Sequence, residues 1–194
     1  MVDVDIYLEA ARAGLAAIDP GPVRRAAEIC LECVLGGGKI LFCGNGGSAA
    51  DSQHLAGELI GRFRLERAGI PALALAADCA VITALANDYS FDSVFARQVE
   101  ALGRAGDVLV ALTTSGGSRN VLLAMEEARG LGMRVVAFTG ASGGPAAAAA
   151  DVAVKAPSDV TSHAQEALLV AGHALCAAIE AGFAAADRRD PRNG

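Results

Sequence analysis

Hydrophobic side chains come in two textures along this chain. Over residues 5–18 and 22–36 they recur every three to four positions among polar and charged residues, which predicts two amphipathic helices. Asp19-Pro20-Gly21-Pro22 divides the two, and Gly36-Gly37-Gly38 ends the second. From residue 39 the pattern changes to short, nearly unbroken apolar runs: KILFCG (39–44), PALALA (71–76), DVLVALTTS (107–115), RVVAFTG (134–140) and VAVKA (152–156). Such runs are what strands buried on both faces require. Helix-length segments occupy 48–62, 78–102, 118–131 and 160–187, and GGPAAAAAD (143–151) reads as a helix turn leading into the last strand. This alternation predicts an α/β fold, with a five-stranded parallel sheet between two helical layers.

Sheets of this kind bind ligands beyond the carboxyl ends of their strands, and the polar residues of the chain gather there. Gly44-Asn45-Gly46-Gly47-Ser48 follows the first strand and opens a helix, where Ser48 and Asp51 have the S-x-x-D form of a helix cap. Thr113-Thr114-Ser115-Gly116-Gly117-Ser118 repeats the arrangement after the third strand. Bared backbone amides, hydroxyls and the positive end of a helix dipole favour an anion, and phosphate is the natural guest. The first turn also satisfies G-x-G-x-x-A, but a dinucleotide site needs an acidic residue about 20 positions on, and the next strand ends too late, at Asp78. No G-x-x-x-x-G-K-[ST] is present, which excludes an NTPase P-loop.

His54 and Glu58 stand four residues apart on the helix after the first turn, so their side chains share a face. An ion pair is the plain explanation. However, the chain has only 3 histidines, and His173 lies in an apolar stretch of the last helix, where an imidazole without a partner is costly. Two histidines, a glutamate and the amide of Gln165 beside a phosphate loop could bind a metal or exchange protons.

Composition narrows the class. With 194 residues, 53% hydrophobic content and mean hydropathy +0.40, the chain is read as one domain, residues 1–36 being N-terminal helices and 37–187 the α/β core. Abundant alanine with only 4% aromatics and no Trp points to close-packed helices. The net charge of -6 argues against a nucleic-acid surface, and basic residues cluster only in the short tail around Arg188 and Arg189. The start, MVDVDIYLEAARAGL, lacks the form of a signal peptide, and no uninterrupted apolar run nears the ~20 residues of a membrane span. A soluble, cytoplasmic protein is expected. The odd count of 5 cysteines fits a reducing compartment, and Cys30-x-x-Cys33, inside an amphipathic pattern with no second pair, reads as core packing.

The stretch CGNGGSAADSQHLAGELIGRF, then Ala86-Asn87-Asp88-Tyr89, TTSGGSRNVL and Gln165-Glu166…His173, in this order over nearly the whole chain, resembles the sugar isomerase (SIS) fold and, within it, the phosphoheptose isomerases. The resemblance implies a three-layer, flavodoxin-like α/β/α sandwich whose N-terminal helices serve oligomerisation. It implies an aldose/ketose isomerase that converts sedoheptulose 7-phosphate to D-glycero-D-manno-heptose 7-phosphate, for bacterial heptose biosynthesis. By the same resemblance Glu58 is the general base that forms an enediolate and His173 the acid that returns a proton. One Zn²⁺ per subunit would be held by His54, Glu58, Gln165 and His173, in some tension with Glu58 as base. Substrate contacts carry over to Asn45, Gly46, Gly47, Glu58, Asn87, Asp88, Thr113, Thr114, Ser115, Ser118 and Gln165, with Arg62 as a further contact or a surface ion pair. A homotetramer with sites at subunit interfaces is implied.

On one continuous helix, Gln165 and His173 would stand ~12 Å apart along the axis and about a quarter turn out of phase. Either that helix begins irregularly near Gln165 or a neighbouring subunit completes the site. Thr113, Gly117, Ala164 and Leu168 depart from the family pattern; Thr113 keeps a hydroxyl, whereas Leu168, where the family often has a histidine, bears on metal affinity and on the substrate. The rival readings are a non-catalytic SIS sugar-phosphate regulator or replication-initiator adaptor, and an isomerase of another sugar phosphate. The adaptors lack the acidic and histidine pair, so Glu58 and His173 favour the enzyme.

Overall fold

The computed structural model describes residues 3–187, and Arg188 and Arg189 lie outside the described residues. Its elements are α1 (Val4–Ala16), α2 (Pro20–Leu35), β1 (Ile40–Gly44), α3 (Gly47–Ile60), β2 (Ala72–Ala74), α4 (Cys79–Asp88), a 3-10 turn (Phe91–Ser93), α5 (Ala96–Leu102), β3 (Val108–Thr113), α6 (Arg119–Gly130), β4 (Arg134–Thr139), α7 (Gly144–Ala149), β5 (Val152–Lys155) and α8 (Thr161–Asp187). The five strands pair in parallel in the order β2-β1-β3-β4-β5, the doubly wound order of flavodoxin-like folds.

Alternate strand residues feed two separate apolar layers, as the two-residue period of a strand demands. Ile40, Phe42, Val108, Val110, Val136 and Phe138 pack with α2, α3 and α8 on one face. Leu41, Cys43, Leu109, Ala111, Val135 and Ala137 pack with α5, α6 and α7 on the other. Both faces are therefore covered, and the all-apolar runs read as strands have that cause. Cys30 and Cys33 lie buried on α2 within the first layer.

Three boundaries differ from expectation. The predicted helix over 78–102 is broken: α4 stops at Asp88, Ser90 is extended (φ -163, ψ 160), and the chain resumes as the 3-10 turn and α5. The break lets Val94, Phe95 and Val99 turn into the core while Val81, Ile82 and Leu85 stay partly exposed. The second strand shrinks to Ala72–Ala74, at the edge of the sheet. α2 starts earlier than predicted because Asp19 caps it, accepting from Gly21 N at 2.9 Å, with Pro20 in the first helical position.

α8 meets the length and hydropathy of a membrane-crossing helix over Thr161–Ala186, although no such span is evident as an uninterrupted run. Here half of that window is buried inside the protein, where it packs on α1, α2 and α3. Its apolar length is that of a core helix.

Candidate active site

β1 and β3 lie side by side at the centre, but the chain leaves β1 towards β2 and β3 towards β4. The helices that follow, α3 and α6, diverge and leave a crevice at the strands' carboxyl ends. Both glycine-rich turns border it, since Gly44 stands opposite Leu112 in the β1/β3 register. Gly44 has no alternative there: a Cβ would lie 2.8 Å from Ser48 Cβ and 2.9 Å from Leu112 O.

The first turn enters α3 through Gly46, whose φ of 55 is left-handed and whose position has no side-chain cap. The expected Ser48/Asp51 cap is therefore not made, because the helix has already begun at Gly47. Instead Ser48 Oγ donates to Gln165 Oε1 at 3.3 Å, and Asp51 Oδ2 accepts from Gln165 Nε2. Asn45 is held by Asn120 of α6 in a reciprocal amide pair of 2.8 and 2.9 Å, which ties the two turns together across the crevice.

In the second turn three hydroxyls converge. Thr113 Oγ1 lies 3.3 Å from Ser115 Oγ and 3.1 Å from Ser118 Oγ, and Ser115 Oγ accepts from Gly117 N at 3.2 Å. Ser118 occupies the N-cap of α6 but makes no side-chain cap bond, so the first amides of that helix remain for a ligand. Thr114 is half-buried beside them. Gly116 shapes the turn at φ 66, where a Cβ would meet Gly143 O at 2.2 Å.

α3 and α8 run alongside one another, and their contact assembles the third group. His54 Nε2 lies 2.7 Å from His173 Nε2 and 3.5 Å from Glu58 Oε1. Ligand atoms of His54, Glu58 and His173 all lie within 4.8 Å of one another, a set that could hold a metal ion. The close approach depends on Gly172, where a Cβ would stand 2.8 Å from Leu55 Cδ1 of α3. Phe63, in the loop after α3, stacks on His173 at a centroid distance of 5.6 Å and an angle of 25°.

α8 is continuous from Thr161, so the irregular start near Gln165 is not observed. Gln165 and His173 instead both reach α3 at different levels, the first at Ser48 and Asp51, the second at His54. Gln165, the fourth residue of the implied metal set, thus spends its amide on α3 nearer that helix's start than the histidine pair. Asn87 and Asp88 are not in a loop; they end α4, exposed, with Asn87 Nδ2 donating to Asp88 Oδ1 at 2.8 Å. Arg62 is exposed, 3.9 Å from Glu66, as a surface pair would be. Asp78, the acid that comes too late for a dinucleotide, caps α4 by accepting from Ala80 N and Val81 N.

Three participants escape the sequence reading: Asp51, Asn120 and Phe63. Burial pushes the Asp51 carboxyl up, against the opposing pull of His54 and His173, so Asp51 belongs to the same neighbourhood. Its spacing of three and seven residues before His54 and Glu58 held that information, but the S-x-x-D pattern offered a simpler use. Asn120 and Phe63 lie inside two of the stretches quoted for the resemblance, TTSGGSRNVL and CGNGGSAADSQHLAGELIGRF, but their spacing gave no sign of their contacts.

The SIS domain family model matches residues 6–140. The phosphoheptose isomerase of Akkermansia muciniphila is 51% identical over 160 residues, spanning 82% of this chain and 85% of that protein. The structure of the phosphoheptose isomerase of Neisseria gonorrhoeae superposes with a TM-score of 0.84 at 43% identity, covering 91% of this chain and 96% of the other. That of Francisella tularensis gives 0.86 at 40% identity, over 92% and 96%. With the doubly wound sheet, the paired glycine turns and the His54/Glu58/His173 group all in place, the chain belongs to the phosphoheptose isomerase family of SIS-domain proteins.

Proposed function

We propose that the chain, working as one SIS domain, isomerises sedoheptulose 7-phosphate to D-glycero-D-manno-heptose 7-phosphate in bacterial heptose biosynthesis. The observation that carries this is the convergence of Glu58 and His173, from helices far apart in sequence, in a chain whose turn after β3 gathers three hydroxyls at the start of a helix. Isomerisation needs both: a grip on the phosphate and a base with an acid at the carbonyl end. Glu58 takes a proton from the hydroxyl-bearing carbon next to the carbonyl, an enediolate forms, and His173 returns a proton to complete the aldose. No outside oxidant is needed, because one carbon is oxidised as its neighbour is reduced.

The phosphate sits on Thr113, Thr114, Ser115 and Ser118 at the start of α6, where the free amides favour negative charge. Gly46 and Gly47 offer backbone amides at the opposite wall. Asn45, paired with Asn120, offers the amide capacity that this pairing leaves. Asn87, Asp88 and Gln165 are the remaining contacts proposed for the sugar hydroxyls.

The donor set of two imidazoles and a carboxylate suits zinc. His54, Glu58 and His173 would hold the ion, with Gln165 as the further ligand that family resemblance implies. Bound there, zinc would supply positive charge to steady the enediolate oxygens. The assembly proposed is a cytoplasmic homotetramer with sites at subunit interfaces. It is supported by α1, which buries no residue and leaves Val4, Ile6 and Leu8 between 55% and 69% exposed.

Incubating the protein with sedoheptulose 7-phosphate in deuterated water, with and without zinc, and following the sugar by NMR tests the reading. Deuterium in a new aldoheptose phosphate is the expected result. Binding without product or exchange would overturn it in favour of a sugar-phosphate sensor.

A further inference from the structure

Behind the candidate site lies a buried ion pair that the isomerase reaction does not itself require. Arg67 and Glu180 have side chains only 1% and 2% exposed, with Arg67 Nε 3.4 Å from Glu180 Oε1. A buried pair of this kind is weak ground for stability, since apolar residues of similar volume commonly do as well. What distinguishes this pair is where its hydrogen bonds go, since Arg67 Nε makes none to Glu180.

Every one of them goes to the backbone between residues 58 and 68. Arg67 donates to the carbonyl of Glu58 at 3.0 Å, of Gly61 at 2.9 Å and of Ala68 at 3.0 Å, so a guanidinium closes the carboxyl end of α3. The last turn of a helix leaves such carbonyls unpaired, and a cation there also suits the helix dipole. Glu180 accepts from the backbone amides of Phe63 at 2.8 Å, Arg64 at 2.8 Å and Leu65 at 3.0 Å, and so fixes the following loop in place.

Both consequences reach the chemistry. The carbonyl held at residue 58 belongs to Glu58. The amide held at residue 63 belongs to Phe63, whose ring stacks on His173 at 5.6 Å and 25°, within the range of offset aromatic contacts. Glu180 also lies two turns beyond His173 on α8, so the loop is clamped to the helix that carries the histidine.

We propose that Arg67 and Glu180 are positioning residues for the isomerase reaction, setting Glu58 through the end of α3 and His173 through Phe63. This rests on the roles given above to Glu58 and His173. Phe63 is the third positioning residue, and its ring keeps the His173 imidazole at one tilt.

The test compares Phe63→Leu, Phe63→Tyr and Glu180→Gln with the unaltered protein at one pH. The first readout is the NMR shift of the His173 ring protons, assigned with His173→Asn. A stacked ring shifts them upfield, so they should move downfield in F63L and E180Q and stay in F63Y. The second is kinetic: misplacing reacting groups by ~1 Å costs up to about a hundredfold in rate. F63L and E180Q should lose about tenfold or more in kcat, with KM for sedoheptulose 7-phosphate within about twofold because the phosphate turn is untouched. F63Y should restore kcat. F63L leaves the ion pair intact and tests the Phe63 link by itself; where E180Q fails to fold, Arg67→Lys, which keeps the buried charge but not the three carbonyl contacts, takes its place in both readouts. Unchanged His173 shifts in F63L, or an unchanged kcat, would overturn the proposal. A protein that turned over no sedoheptulose 7-phosphate would sink the proposed reaction alone, because the ring shift reads the placement of Phe63 on His173 without substrate.

Discussion

His54 Nε2 and His173 Nε2 stand 2.7 Å apart, brought together from α3 and α8 across 119 residues of sequence. At that distance one ring must donate and the other accept, or the two must share a positive ion. Zinc added to chelator-treated protein should therefore perturb the ring signals of both histidines together and raise the thermal midpoint. Ligand at about a hundred times its Kd stabilises by ~2.7 kcal/mol. His54→Ala should remove most of that gain, and a midpoint indifferent to zinc would reject the metal site.

Glu58→Gln keeps the size of the side chain and removes the proposed base. A general base contributes about 10²- to 10⁴-fold, so kcat should fall by that order while the thermal midpoint hardly moves. Equal turnover by the variant would refute the assignment of the base.

The turn over 113–118, proposed to hold the phosphate, can be challenged at two neighbouring residues with different expected effects. Ser115→Ala removes a hydroxyl that is exposed and bonded only within the turn, so KM should rise with stability preserved. Gly116→Ala places a Cβ 2.2 Å from Gly143 O at a φ of 66, so it should destabilise the protein by more than about 1 kcal/mol. Calorimetry with steady-state kinetics separates the two. A Gly116→Ala protein of normal stability would mean that the turn is far softer than its contacts imply.

Acid should expose the clamp on the 61–68 loop. Burial by itself would raise the Glu180 carboxyl, but the amides of Phe63, Arg64 and Leu65 and the charge of Arg67 outweigh it and hold the group below the usual carboxylate range. A depressed folded value stabilises fully above the ordinary glutamate value of about 4.3 and loses that contribution as pH falls through the lower, folded value. Urea midpoints measured downward from pH 6 should therefore drop below about pH 4.3, and more shallowly in Glu180→Gln. Removing Arg67 alone should be worse, at about 3–5 kcal/mol, because it strands a buried carboxylate.

Much of this was legible in the residues. Short apolar runs announced the strands, and the two glycine turns announced the crevice, because both are local consequences of backbone geometry. His54 and Glu58 could be placed on one helix face by spacing alone. Asp51 was equally placed by spacing, yet its short-range use as a cap hid its long-range use as the acceptor for Gln165. Which use wins depends on whether the helix starts at Ser48 or at Gly47, and boundaries of that kind shift by a residue when a glycine can take a left-handed φ.

The sequence by itself determined the order of strands and helices, the sites where the chain turns, and the chemical kinds of group at the sheet's carboxyl edge. These follow from periodicity and from what glycine, proline and β-branched residues permit. Only the tertiary structure decided that His173 faces His54 and not Gln165's partners, that Asn45 is tied to Asn120, and that Phe63 lies on His173. The two meetings at His173 depend on how closely α3 and α8 approach, which Gly172 against Leu55 and the buried Arg67 and Glu180 set, and the tie of Asn45 to Asn120 depends on how the turn after β1 faces α6. Packing distances between remote segments have no trace in local pattern, because they are fixed by volumes that come together only when the chain has folded.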